Sequence, residues 1–300
     1  MKNIFIINRS LVEAGAEKQS AILASVLNKN HNVYLFIVHN FISNENLKII
    51  NDNSVKLILL DGKILIVKFL QFIFYIYKYK PDVIFSYLAI GNLFSALAGK
   101  MMGVNYLIGG IRNSVISPVK LPLERFIHNN IMFKTISNSY SAVENLGDKN
   151  FKKEKFCVIH NGFLNPNKII KRNPSQFITI VSVSRFVPQK DFKTSIKVIK
   201  KLKMSNYKIK YRIIGYGPLK KEIQNDINNS DLSDVVEIIL KPDNINYYYS
   251  NADIFLSTSL FEGMSNSIME AMSFSLPIIT TDVGDSHFLV EHNINGYLSD

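Results

Sequence analysis

Apolar residues fall along this chain in two alternating kinds of block. Short runs rich in Ile, Val, Phe and Leu occupy residues 4–7, 33–38, 55–60, 82–86, 106–108, 135–137 and 156–159. Polar or turn-forming residues bound each run, as expected for buried strands. Between them lie stretches of helical spacing, at 16–27, 64–79, 92–102, 123–133 and 140–146. From 164 to 176 the chain turns polar, with Pro166, Pro174 and several Asn and Lys, which predicts a linker. The alternation then restarts, with strands expected at 178–184, 211–214, 235–240, 254–257, 277–280 and 296–298. Helices are expected at 194–202, 219–227, 245–250 and 267–274, with a helix start within 283–292. Such alternation predicts βαβ units and parallel sheets. The expected class is α/β: two Rossmann-like, doubly wound parallel-sheet domains, residues 1–165 and 166–300, facing a cleft.

Composition adds a bias toward anionic partners. The chain has 300 residues, of which 47% are hydrophobic, and a formal net charge of +11. A basic surface suits nucleotide phosphates, nucleic acid or acidic phospholipid. The lysines are scattered and RNA-type aromatic motifs are absent, which weighs against nucleic acid. The single cysteine, Cys157, rules out an internal disulfide framework and fits a reducing compartment. No Cys or His cluster suggests a metal site, and His128, His287 and His292 read as incidental. The apolar start ends at Asn8 and Arg9, too short for a signal-peptide core, so a cytoplasmic protein is expected. The helix at 64–77 is nearly all apolar and aromatic, broken by Lys68 and Gln71. It is short for a membrane span, so burial is the default reading. A membrane-facing patch flanked by Lys63, Lys78 and Lys80 is the alternative.

The candidate chemistry gathers at the ends of strands, where open α/β sheets bind ligands. After the strand at 254–257 comes a polar turn with Glu262 and Gly263, then the helix at 267–274. Gly263 lets backbone approach a ligand, and the helix start offers unpaired N–H groups to a phosphate or diphosphate. Glu262 and Glu270 flank that start, and carboxylates accept bonds from vicinal sugar hydroxyls. The competing reading of Glu270 is a capping box with Ser267. Arg185 and Lys190 sit five apart after the strand at 178–184 and can grip a diphosphate, or be solvated surface cations. Gly215 and Gly217, in Gly215-Tyr-Gly-Pro218, and Gly15, before the first helix, permit close approach or merely make turns.

Taken as an ordered set, these residues resemble the retaining glycosyltransferases of family 4, which have the two-Rossmann GT-B fold. The likeness rests on Arg185 with Lys190, Gly215-Tyr-Gly217-Pro, and Glu262-Gly263 followed by Glu270-Ala-Met. Glu13-Ala-Gly15-Ala-Glu17-Lys18 and Ser137-Asn138-Ser139 match more loosely. The resemblance implies transfer of a hexose-type sugar from a nucleotide sugar, a UDP-sugar, to a lipid-linked or polysaccharide acceptor in cell-surface glycan synthesis. It implies that Arg185 and Lys190 bind the donor diphosphate, that Glu270 holds the ribose and that Glu262 contacts the sugar. The amides of Gly263, Met264, Ser265 and Asn266 would line the donor, with Gly15 closing from the other domain. No cofactor or metal is expected. Relatives place a histidine near the anomeric carbon, where this chain has Gly109-Gly-Ile-Arg112-Asn113, so Arg112 and Asn113 become the acceptor-side candidates. Relatives also continue with helices beyond the position of Asp300, which implies truncation and uncovered apolar surface. With the basic charge and the aromatic helix, the expectation is an enzyme peripheral on the inner face of the membrane. A UDP-sugar 2-epimerase and an inactive scaffold of the same shape are the alternatives.

Overall fold

Residues Asn3–Asn8 form strand β1, and their side chains point alternately to two faces. Phe5 and Ile7 face one layer with Phe72, Ile76 and Phe94. Ile4 and Ile6 face another with Ala21, Ile22 and Ile49. A parallel strand buried on both sides reads as a continuous apolar run, which is why β1 was legible without alternation. The computed structural model describes residues 1–12, 15–112, 116–162 and 175–299. They divide into two units, Met1–Gly162 and Phe163–Asp300.

In the first unit β1 is followed by α1 (Gly15–Leu27), β2 (Asn32–Ile37), α2 (Asn44–Asp52), β3 (Lys56–Leu59) and α3 (Leu65–Tyr79). Then come β4 (Val83–Ser86), α4 (Leu88–Met101), β5 (Tyr106–Gly110), α5 (Leu121–Phe126), β6 (Lys134–Ser137), α6 (Tyr140–Gly147) and β7 (Phe156–Val158). The seven strands are parallel in the order β3-β2-β1-β4-β5-β6-β7. That order reverses beside β1. Right-handed crossovers therefore put α1 and α2 on one face and α3 and α4 on the other.

In the second unit the elements are β8 (Ile178–Arg185), α7 (Phe192–Met204), β9 (Ile209–Tyr216), α8 (Lys220–Asn229) and β10 (Val236–Leu240). They are followed by α9 (Ile245–Ser250), β11 (Ile254–Ser257), α10 (Asn266–Ser273), β12 (Ile278–Thr281), α11 (Ser286–Leu289) and β13 (Gly296–Ser299). The order is β10-β9-β8-β11-β12-β13, again all parallel. Ile180 and Tyr211 pack toward α7 and α8, while Val181 and Phe255 pack toward α9 and α10. Both units are thus doubly wound, as the sequence predicts.

Several boundaries differ for local reasons. Helix α2 has no counterpart among the expected elements, because its nine residues hold only three apolar side chains, Leu47, Ile49 and Ile50, among Asn, Asp, Glu and Lys. It is started by Ser43, whose side chain accepts from the Asn46 amide at 3.3 Å. Ser43→Ala is expected to cost about 1 kcal/mol of stability, measured by urea denaturation, as for other N-cap losses. Helix α4 begins at Leu88 rather than 92, with Leu88 at φ +62° making the turn out of β4. The helix expected at 123–133 is α5 followed by a π-helical turn, Ile127–Ile131. There His128 is buried between Thr135 Oγ1 at 2.8 Å and Lys152 O at 3.0 Å. Strands β8 and β9 run longer than expected, so Arg185 and Gly215 lie within strands rather than beyond them. The expected linker falls almost wholly on residues 163–174, outside the described residues, as does Asn113.

Candidate functional site

β8 and β11 are neighbouring parallel strands, so the loops leaving their carboxyl ends emerge side by side. The two loops are tied together. Leu260 N donates to Gln189 O at 2.8 Å, and Gln189 Nε2 donates to Phe261 O at 2.6 Å. Across this seam Lys190 Nζ donates to Glu262 Oε1, with the two side chains only 14% and 11% exposed. Ser259 Oγ adds a bond to the same carboxylate oxygen at 2.9 Å. Thr258 Oγ1 donates to Asp191 O at 2.9 Å, which fixes the backbone carrying Lys190. A cation and a carboxylate 72 residues apart are thus held at one sheet edge by a dense polar frame.

Each expected residue can be located against this frame. Lys190 ends a 3-10 turn, Pro188–Lys190, and Asp191 at φ +40° caps α7 through its bonds to Thr194. Arg185 closes β8 at the same edge, exposed, and has no ion-pair partner among the described residues. Gly263, Met264 and Ser265 form the turn into α10, which opens at Asn266. Ser265 is its N-cap and makes no side-chain capping bond. Ser267 lies inside the helix, so the capping box with Glu270 does not form. Glu270 instead accepts from the buried Tyr249 hydroxyl at 3.1 Å. Burial first, and then the Glu270 charge, push the Tyr249 phenol well above its ordinary value, so it stays a donor.

Gly215 and Gly217 serve a backbone crossing. Phe186 N donates to Tyr216 O at 2.7 Å, and Leu219 N donates to Phe186 O at 3.1 Å. A Cβ on Gly217 would stand 2.7 Å from Phe186 N. These glycines let the end of β9 press against the segment just after Arg185. In the first unit Gly15 is the first residue of α1. Arg112 lies just past β5, lays its guanidinium over the Tyr87 ring at 4.9 Å and donates to Asn161 Oδ1. Its Nε is buried without a hydrogen-bond partner among the described residues.

Sequence reasoning missed Gln189, Thr258, Ser259, Tyr249 and Gly284. The Ser257-Thr-Ser259 cluster at a strand end was the available signal for two of them. Gly284, at φ +59°, lets its loop cross the 262–263 backbone, where a Cβ would meet Gly263 O at 2.9 Å. Asp285 N then donates to Gly263 O at 3.2 Å and pins the turn.

The arrangement can do three things chemically. It presents to an anion the Arg185 guanidinium, unpaired among the described residues, and the Lys190 ammonium, offers the N-terminus of an eight-residue helix beside them, and supplies two carboxylates for hydroxyl groups.

The residues of this site lie within a recognised region. Residues 165–300 match the family described as Glycosyl transferases group 1. The amylovoran biosynthesis glycosyltransferase AmsK of Erwinia amylovora is 35% identical over 132 residues, 41% of this chain and 32% of that protein. The putative colanic acid biosynthesis glycosyltransferase WcaL of Escherichia coli K12 is 31% identical over 133 residues, 42% of this chain and 33% of that one. The matched segment thus spans about a third of the length of these curated relatives. Among solved structures, Anabaena Alr3699/HepE in complex with UDP and glucose superposes with a TM-score of 0.84 at 17% identity. That match covers 100% of this chain and 86% of that one. The fold is therefore that of GT-B glycosyltransferase structures, and residues 165–300 carry the match to the Glycosyl transferases group 1 family.

Proposed function

We propose that this protein is a retaining glycosyltransferase that moves a hexose-type sugar from a UDP-sugar to a lipid-linked or polysaccharide acceptor in cell-surface glycan biosynthesis. The observation that carries the reading is the joined pair of loops after β8 and β11, with Lys190 and Glu262 at the seam and Arg185 at the same edge. The named roles of AmsK and WcaL in polysaccharide biosynthesis support the acceptor class, and the UDP in the HepE complex supports the donor class.

In this reading the diphosphate docks on Arg185, Lys190 and the amides of 263–266. Its charge draws Lys190 away from Glu262, which turns to the hydroxyls of the donor sugar. Glu270, held by Tyr249, takes the ribose. As the anomeric C–O bond breaks, its electron pair leaves with the diphosphate and the two cations stabilise that charge; the acceptor hydroxyl oxygen forms the new bond to the anomeric carbon, and its proton passes to the departing diphosphate oxygen. Arg112 serves the acceptor side, together with Asn113. The enzyme works at the inner face of a membrane, where a lipid carrier presents its acceptor.

A thermal-shift series with UDP tests the donor site. At UDP about 100 times its Kd, the wild-type midpoint is expected to rise by about 5 °C. Lys190→Ala is expected to abolish the rise and Glu270→Ala to reduce it by more than half. Equal shifts in all three proteins would show that the nucleotide binds elsewhere.

A further inference from the structure

Helix α3 is apolar on two sides. Its inner stripe, Phe69, Phe72, Ile73 and Ile76, fills the core beneath it. Its outer stripe is Ile66, Leu70, Phe74 and Tyr77, spaced four, four and three residues apart and 55%, 57%, 56% and 68% exposed. That spacing keeps all four on one helix face, over a length of about 17 Å. The two polar residues in the body of the helix do not interrupt it. Lys68 turns away to donate to Val38 O at 2.6 Å, and Gln71 is bonded to the backbone of Asp61. Exposed Lys63 stands before the stripe, and exposed Lys78 and Lys80 stand at its far end. α4 packs alongside through the Phe69–Phe94 ring contact and exposes Leu97 and Met101. Single exposed apolar side chains are ordinary; a stripe continued onto a neighbouring helix marks a contact surface.

The charges choose the occupant. Along α3 and α4 and at their ends, residues 61–103, the exposed charges are Lys63, Lys78, Lys80 and Lys100 against Asp61 and Asp82. A second copy of this chain across an isologous interface would set these cations against themselves. An anionic lipid surface satisfies both features, because it accepts the apolar stripe below its headgroups and pairs the lysines at headgroup level. No helix among the described residues is long and apolar enough to cross a membrane. We infer that the outer face of α3, continued by Leu97 and Met101 of α4, is the surface by which this protein lies on an anionic bilayer. The inference gives the membrane clause of the proposed function its residues and rests on that clause, but not on the donor site.

The test is co-sedimentation with phosphatidylcholine vesicles, with and without about one third phosphatidylserine. Wild type is expected to pellet with the anionic vesicles only. Leu70→Glu/Phe74→Glu is expected to lower partitioning at least tenfold, and Lys78→Gln/Lys80→Gln about fivefold per charge removed. Should the double Glu variant fail to fold by circular dichroism, Leu70→Ser/Phe74→Ser makes the same comparison. Wild type remaining in the supernatant, or variants that partition like wild type, would overturn the assignment. So would light scattering that shows a dimer which the apolar-stripe variant splits, since the occupant would then be a second copy. The UDP thermal shift, run on the same variants, is expected to be unchanged. Its loss in wild type as well would count against the donor site and leave the membrane face standing.

Discussion

Lys190→Ala is expected to lose both stability and turnover, and the two losses should separate in a second variant. The Lys190–Glu262 pair sits in a frame where neither side chain is more than 14% exposed. Removing one partner leaves a carboxylate largely cut off from water, which costs about 3 kcal/mol. Ser259 still donates to Glu262, so the loss stays at the lower end of that range. Replacing both residues by apolar ones of similar size, Lys190→Met/Glu262→Leu, removes the orphaned charge and should recover most of the stability. It cannot recover the ammonium that the proposed reaction sets against the leaving diphosphate. UDP release from the true donor is therefore expected to fall about 10²- to 10³-fold in both variants. Turnover within threefold of wild type in Lys190→Ala would remove this residue from the reaction. Equal instability of the single and double variants would mean that the pair is held for packing rather than by charge.

Gly215→Ala is expected to unfold the second unit outright. At φ +150° an L side chain is already strained. The added Cβ would also fall inside the contact radius of Ser184 O, 3.0 Å from Ser184 C and 3.1 Å from the Phe186 ring. Ser184 is the penultimate residue of β8 and is registered directly against Gly215, with Arg185↔Tyr216 paired beyond it, so its backbone is held in place on both sides. A loss of more than about 4 kcal/mol follows from combining strain with a backbone clash. Gly103→Ala is the control, since its φ is +71° and nothing lies within 4 Å of the added carbon. It should cost about 1 kcal/mol. Soluble expression and thermal midpoint decide the matter: if the two variants melt within about 2 °C of each other, the crossing is softer than its distances imply.

The sequence carried most of the fold because parallel strands announce themselves. Ile4 to Ile7 are buried on both faces and so read as an unbroken apolar run, and Ile178 to Val183 is interrupted only by Thr179 and Ser182. α2 was hidden for the opposite reason: its start depends on the Ser43 cap and on Asn46 reaching Leu11 O and Val12 O, which leave no periodic trace. The candidate site was half legible. Arg185, Lys190, Glu262 and Glu270 are chemically conspicuous after strand ends. Their pairing was not, because which loop faces which is set by sheet order, and β8 meets β11 only after two strands and two helices have turned the other way. Gly215 and Gly217 also admit the chain's own backbone, at Ser184 and Phe186, a crossing that their spacing alone does not reveal.

β1 has a last consequence for how this chain tolerates change. Its odd-numbered side chains belong to an aromatic layer and its even-numbered ones to an aliphatic layer. Swapping one residue for another of similar bulk disturbs a single layer. Inserting or deleting one would move every later side chain of the strand to the wrong side at once. Length variation is therefore barred from the middle of this sheet however conservative the letters, and must be confined to the connections at its rims.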